Sequence, residues 1–359
     1  MFLTSYDLWR GLKVTNDPRI IEGPYLQDLL AQPGALKDTH SRLERPPSLM
    51  RVAARLGEFR QVVLTGMGSS FHALHLLHLQ LADHGIGSTM LETSELVHYY
   101  RRALNPKTLV VAVSQSGESA EMVRLAEVHQ NATVIAVTNT PDSTLARHAA
   151  SRLFTHAGHE FSVSCKTYVT ALMTLQWLAD ALCGCDAEES RRRLRYAEQA
   201  TADYLAGWKK HVLNLTGLLG GTRDLFLAGR GRSLAAVGTG ALVIKEADHF
   251  HAEGMSSAAL RHGPFEMLSK EVFVAVFAGD ERTRTLNDAL VADARNAGAR
   301  AEVIGERSAF ESFRLGECDS AIRPILEILP VQMITIALAA LAGREAGKFE
   351  RATKITRTE

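Results

Sequence analysis

The sequence predicts an α/β protein built from two tandem, doubly wound parallel-sheet domains. Short apolar runs rich in β-branched residues alternate with longer helical stretches from about residue 61 onward, the pattern of a parallel sheet covered on both faces. The order strand, Gly-x-Gly, helix, apolar strand, helix, strand occurs twice, about 160 residues apart, which marks an internal duplication rather than a short solenoid period. With 359 residues, the chain has room for two domains of roughly 150 residues each.

Residues 1–45 are polar, carry prolines at 18, 24 and 33, and read as an N-terminal arm of short helices broken at Pro33. Residues 46–200 form the first domain. Its strands are QVVLTG, STMLETSE, TLVVAV and TVIAVTN, with helices over SSFHALHLLHLQLADHG and ESAEMVRLAEVHQNA. A long helical region from about 166 to 218 leads to the second domain, residues 201–345. There DLFLAG is a strand, SLAAVGTGALVIKEADHF a helix, EVFVAVFAG a strand, TRTLNDALVADARNAG a helix and AEVIGE a strand. Residues 346–359 are a C-terminal tail.

Composition excludes several classes. Forty Lys and Arg balance forty Asp and Glu, so the positive field that a nucleic-acid partner demands is missing. A hydrophobic content of 46% against 22% charged residues is enough to build a core and argues against disorder. Four cysteines make no disulfide framework in a chain this long. The N-terminus has no signal-like apolar stretch. Tyr168–Leu182 and Ile325–Leu341 are interrupted by polar residues and Pro330, so no membrane span is expected. A reducing cytoplasm is the expected location.

The chemistry concentrates in a few places. Gly66-Met67-Gly68-Ser69-Ser70-Phe71 follows a strand, but Phe71 stands where a dinucleotide fingerprint needs its third glycine, so no nicotinamide cofactor is expected. Ser114-Gln115-Ser116-Gly117-Glu118-Ser119 sits at the carboxyl end of an apolar strand, before a helix. Hydroxyls, backbone N–H groups and a helix dipole meeting there suit a phosphate; the plain alternative is a helix cap using one serine. Glu246, in an otherwise apolar helical stretch, can be a carboxylate base if burial raises its pKa, or an ordinary paired glutamate. His262 lies in the turn Arg261-His262-Gly263-Pro264. His72, His75 and His78 drift around a helix at steps of three and read as ordinary helix residues, with no metal site. Arg191-Arg192-Arg193 reads as a solvated face.

These motifs, with HAEGMSSAALRHGP and the terminal TKITRTE, resemble the sugar isomerase (SIS) family. The resemblance is closest to the isomerase half of glucosamine-6-phosphate synthase and runs from about residue 22 to the end. It implies two tandem SIS-type domains. It also implies that Ser69, Ser70, Ser114, Gln115, Ser116 and Ser119 hold a sugar phosphate, with Val163 and Ser164 as further contacts. Glu246 would be the isomerisation base, and His262, sixteen residues on, the group that opens the sugar ring, delivered from the other subunit of a homodimer. Lys354 would match the family's Schiff-base lysine. The sequence departs at Val163-Ser164-Cys165-Lys166-Thr167, where the family has Ser-Thr-Lys and the lysine here comes one position early. Position 2 is Phe, not the nucleophilic cysteine of a glutaminase half, so no ammonia release from glutamine is expected.

The implied function is a cofactor-free aldose–ketose isomerase/deaminase acting on an aminosugar phosphate such as glucosamine 6-phosphate, giving fructose 6-phosphate and ammonia. Two alternatives stand beside it: a fructosamine-6-phosphate deglycase using the same base, and a non-catalytic sugar-phosphate sensor.

Overall fold

The computed structural model describes residues 19–129, 131–351, 353–356 and 358; the first eighteen residues of the expected arm lie outside them. The arm that is described consists of α1 (Pro24–Leu30) and α2 (Gln32–Arg42), and α3 (Pro47–Ala54) opens the first domain. Pro33 falls in the first turn of α2, where its missing N–H is harmless, so it starts a helix there.

The first sheet unit runs β1 (Gln61–Gly66), α4 (Gly68–Asp83), β2 (Thr89–Glu92), α5 (Thr93–His98), β3 (Thr108–Val113), α6 (Ala120–Val128), β4 (Thr133–Thr138), α7 (Thr144–His148) and β5 (Ser151–Phe154). Helices α8 (Lys166–Leu182), α9 (Ala187–Ala206) and α10 (Trp208–Leu219) follow. The second unit runs β6 (Asp224–Gly229), α11 (Leu234–Asp248), β7 (Ala252–Ser256), α12 (Ser257–Arg261), β8 (Val272–Phe277), α13 (Arg284–Asn296) and β9 (Arg300–Ile304), and α14 (Arg323–Leu341) closes the chain's regular structure. Residue 200, where the sequence reading divides the chain, falls inside α9.

Both sheets are wholly parallel, with orders β2-β1-β3-β4-β5 and β7-β6-β8-β9. The duplication is therefore visible strand for strand, and the second copy lacks the fifth strand. Every residue of β3 and of β8 is buried, as expected of central strands covered on both faces. In each sheet the winding reverses beside the first strand. In such sheets ligands bind outside the carboxyl ends of the strands at that switch point. It lies between β1 and β3 in the first sheet, and between β6 and β8 in the second.

One continuous apolar cluster joins the inner faces of both sheets with α1, α4, α8, α11 and α14; two smaller clusters fill the outer faces. All seventeen residues of α8 are buried. Helix α14 has nineteen residues and a mean hydropathy of 1.9, long and apolar enough to cross a membrane, yet 94% of that stretch is buried within the protein. Averaging hides its polar residues: Glu327 accepts a hydrogen bond from Ser233 and Gln332 exchanges bonds with Gln32. It serves as a core helix.

Several expectations are corrected. STMLETSE is a strand only to Glu92, after which α5 begins. Edge strands β5 and β7 were not expected, nor was the end of α11 at Asp248, where His249 turns left-handed with φ 52°. Arg191–Arg193 is not a solvated face throughout. Arg193 pairs with the buried Asp180 at 2.9 Å, and Arg191 bonds the carbonyls of His40 and Leu43 beside the Trp177 ring; only Arg192 is mainly exposed.

Candidate active site

The serine loops meet where the topology requires. β1 ends at Gly66 and feeds α4, while β3 ends at Val113 and feeds α6, so two helix N-termini converge at the switch point. In the second loop the Gly117 N–H donates to Ser114 Oγ at 3.1 Å and the Glu118 N–H to Ser116 Oγ at 3.2 Å. Glu118 turns away and accepts from the Thr144 N–H and hydroxyl. Gly117 has φ 63° and abuts Ser143, so a side chain there meets both strain and overlap. Ser119 occupies the N-cap position of α6, yet its hydroxyl makes no capping bond. The Ser119 hydroxyl is thus left without a capping partner, while the first N–H of the helix, that of Ala120, is taken by the tail.

Ser69, Ser70, Ser114, Gln115 and Ser164 line a narrow pocket with Thr167. Beside it, a cavity of about 130 Å³ is lined by Ser70, Ser114, Gln115, Ser116, Ser119 and, from the C-terminal tail, Lys354. The tail is held in place by the Ala120 N–H, which donates to the Thr356 carbonyl at 3.2 Å. Val163 lines neither space; it is buried in the core.

Glu246 sits near the end of α11, half-buried. Burial pushes its carboxyl up to about 6, against the pull of Lys354 and with a further push from Glu160. Those two residues are joined to each other: the Lys354 ammonium donates to the Glu160 carboxylate and to the Ser162 carbonyl. Sequence reasoning missed Glu160. Its carboxylate is buried, accepts the Cys165 and Thr167 N–H groups at 2.9 Å each, and takes the Thr167 hydroxyl at 2.6 Å. It therefore caps the N-terminus of α8 while anchoring the tail.

The departure at Cys165-Lys166 also finds its place. Lys166 forms a buried ion pair with Asp28 of α1 at 2.8 Å, and Asp28 also accepts the Phe161 N–H at 2.7 Å. The early lysine thus binds the arm to α8. Cys165 is a buried free thiol.

His262 is exposed, follows α12 as its C-cap residue, and lines neither the narrow pocket nor the cavity beside it. Burial lowers the pKa of both His72 and His75, the latter to about 4; His72 packs on Gly238 of α11 and His78 bonds Ser88. Among the described residues no cluster of His, Cys, Asp or Glu is placed to hold a metal.

Residues 56–181 match the family model described as SIS domain. The first sheet unit lies within that match and is a SIS domain, and the chain's two parallel sheets are consistent with a tandem pair. The chain is 30% identical to glutamine–fructose-6-phosphate aminotransferase [isomerizing] of Thermococcus kodakarensis, over 93% of this chain and 58% of that relative. The corresponding protein of Pyrococcus horikoshii is 28% identical, with 93% and 57% covered. The chain thus spans little more than half the length of these relatives. Among solved structures, the C-terminal domain of glucosamine-fructose-6-phosphate aminotransferase from Francisella tularensis superposes with TM-score 0.80 at 19% identity, covering 91% of this chain and 98% of that one. Glucosamine-6-phosphate deaminase from Thermotoga maritima superposes with TM-score 0.75 at 17% identity, covering 94% and 100%. At such identities the structures speak for the fold alone.

Proposed function

We propose that the protein is a phosphosugar aldose–ketose isomerase acting on an aminosugar phosphate, with loss of the amine. The observation that carries this reading is the half-buried Glu246 carboxyl, pushed up to about 6 by burial and felt by Lys354 and Glu160; Lys354 in turn pairs with Glu160 and lines the cavity of serine hydroxyls, which Glu246 itself does not line. The relatives' names place their chemistry on hexose 6-phosphates.

In this reading the phosphate binds to Ser70, Ser114, Ser116 and Ser119 and to the N–H groups opening α4 and α6. That remote binding fixes the reacting carbons. Ser69, Gln115 and Ser164 bond neighbouring hydroxyls. Glu246, ionised above about pH 6 yet more basic than an exposed carboxylate, takes the proton from C2 of the open sugar and returns it to C1. With nitrogen on C2 the product is an imine, and water releases fructose 6-phosphate and ammonia. Lys354, which donates to the Glu160 carboxylate and lines the serine cavity, supplies positive charge for the oxygen that becomes an enolate. His262 opens the ring from a second copy of the chain, since its own position is exposed. The steps are proton transfers, and the proposal invokes no cofactor. A pure sensor has no use for a carboxylate poised in this way.

Purified protein incubated with glucosamine 6-phosphate is expected to release ammonia and fructose 6-phosphate, and Glu246→Gln to lose the activity by at least about a thousandfold. Undiminished turnover by the Gln variant would overturn the assignment of the base.

A further inference from the structure

The mechanism above uses Lys354, yet that residue stands on a tail without regular structure: from Gly347 to Thr356 the described residues form neither helix nor strand. A long lysine side chain on such a segment leaves the site freely unless something fixes it. The fixture is the loop 160–167, which leads into α8. Asp28 of α1 brackets that loop, accepting the Phe161 N–H at 2.7 Å and pairing with Lys166 at 2.8 Å. Within it, the Ser162 hydroxyl donates to the Gly347 carbonyl, and Lys354 donates to the Ser162 carbonyl and the Glu160 carboxylate. Glu160 has no exposed side-chain surface. Its carboxylate is already aimed by the Cys165 N–H, the Thr167 N–H and the Thr167 hydroxyl. Lys354 therefore meets an acceptor that the fold has fixed, in a place where water and salt screen a charge pair only weakly.

We propose that Glu160 is a positioning residue for the reaction: it holds the Lys354 side chain against the serine-lined cavity and takes no proton from the sugar itself. The inference rests on the isomerase reading above and extends it to a residue whose part there is unassigned. The plain alternative is that Glu160 only caps α8. The two roles differ in what they do to Glu246. Lys354 and Lys245 pull the Glu246 carboxyl down and Glu160 pushes it up, with Lys354 the strongest of the three; Tyr25 of α1 also lies within electrostatic reach. Removing the Glu160 charge with the tail still in place lowers the pKa of Glu246. Removing that charge and releasing Lys354 raises it, because the stronger and opposite influence goes as well.

The test is the pH profile of glucosamine 6-phosphate turnover by the full chain. Glu160→Gln is expected to lower kcat at least about tenfold at pH 8, with KM within about threefold, and to move the acid limb of kcat/KM upward from the wild-type position. Lys354→Met should move the limb the same way. The double variant should keep the kcat of Lys354→Met within about threefold, since the two residues act as one unit. A downward or unmoved limb in Glu160→Gln would overturn the inference and leave the isomerase reading standing. A double variant whose loss is the product of the two single losses would do the same. Should Glu160→Gln not fold, Glu160→Asp keeps the charge but withdraws it from Lys354; an upward limb then supports the inference and an unmoved one overturns it. No turnover of glucosamine 6-phosphate by the wild type would overturn both readings.

Discussion

At neutral pH Glu246 must carry a charge in a place where burial resists it, and both its reactivity and its cost follow. With a folded pKa of about 6, against 4.5 for an ordinary glutamate, the folded state holds the proton more tightly than the unfolded chain. This contribution to stability is complete below about pH 4.5 and is lost as pH rises through 6. One pKa unit is about 1.4 kcal/mol, so Glu246→Gln should be more stable than the wild type by up to about 2 kcal/mol at pH 8. The gain should vanish at pH 4, and urea unfolding at the two pH values checks it. The wild-type kcat should fall as pH drops below about 6. Ser119 gives a contrasting prediction. Because its hydroxyl caps nothing, Ser119→Ala should change stability by less than about 0.5 kcal/mol while raising KM for a sugar phosphate several-fold. The serine loops stand out because hydroxyls, a glycine and the end of an apolar strand fall within a few residues, whereas Glu246 and Lys354 take their proposed roles from the family resemblance. Glu160 was not legible, because its meaning depends on Lys354, far along the chain and opposite it in the fold.

Among the elements, helices stand out in the sequence and edge strands do not. β3 and β8 are apolar on both faces and announce themselves. β7 reads AEGMS, with one fully buried residue, and is a strand because β6 offers a ladder to pair with. β5, SRLF, depends in the same way on β4. Packing between helices is equally silent. Gly238 lets α11 close on His72 of α4, and a methyl group there would overlap the imidazole. Gly238→Ala should therefore cost about 1–3 kcal/mol, read as a lower urea midpoint with the slope kept. The Asp28–Lys166 pair explains the unusual loop after the first sheet. Lys166→Ala strands a buried carboxylate and should cost about 3–5 kcal/mol. The lysine's early position sets its ammonium on Asp28 of α1, a partner far away in sequence.

Across the whole molecule, the duplication anticipated from the repeated Gly-x-Gly strands is visible in two parallel sheets of like order, and in the proposed mechanism the copies contribute different groups. The first sheet presents the open serine loops, while the second supplies the helix that carries Glu246. The shared cluster around α4, α8, α11 and α14 packs the two sheet units against each other. His262, exposed on the second unit, belongs in the proposal to a partner's site. Mixing inactive Glu246→Gln with inactive His262→Ala under conditions that exchange subunits should then restore about a quarter of the wild-type activity, because only mixed dimers regain one complete site. The central claim is that Glu246 moves a proton between C1 and C2 of a phosphosugar, and proton NMR in D2O tests it most directly. Wild-type protein given glucosamine 6-phosphate should place deuterium on C1 of the fructose 6-phosphate formed, and Glu246→Gln should place none. Deuterium incorporation by the Gln variant at the wild-type rate would contradict the account.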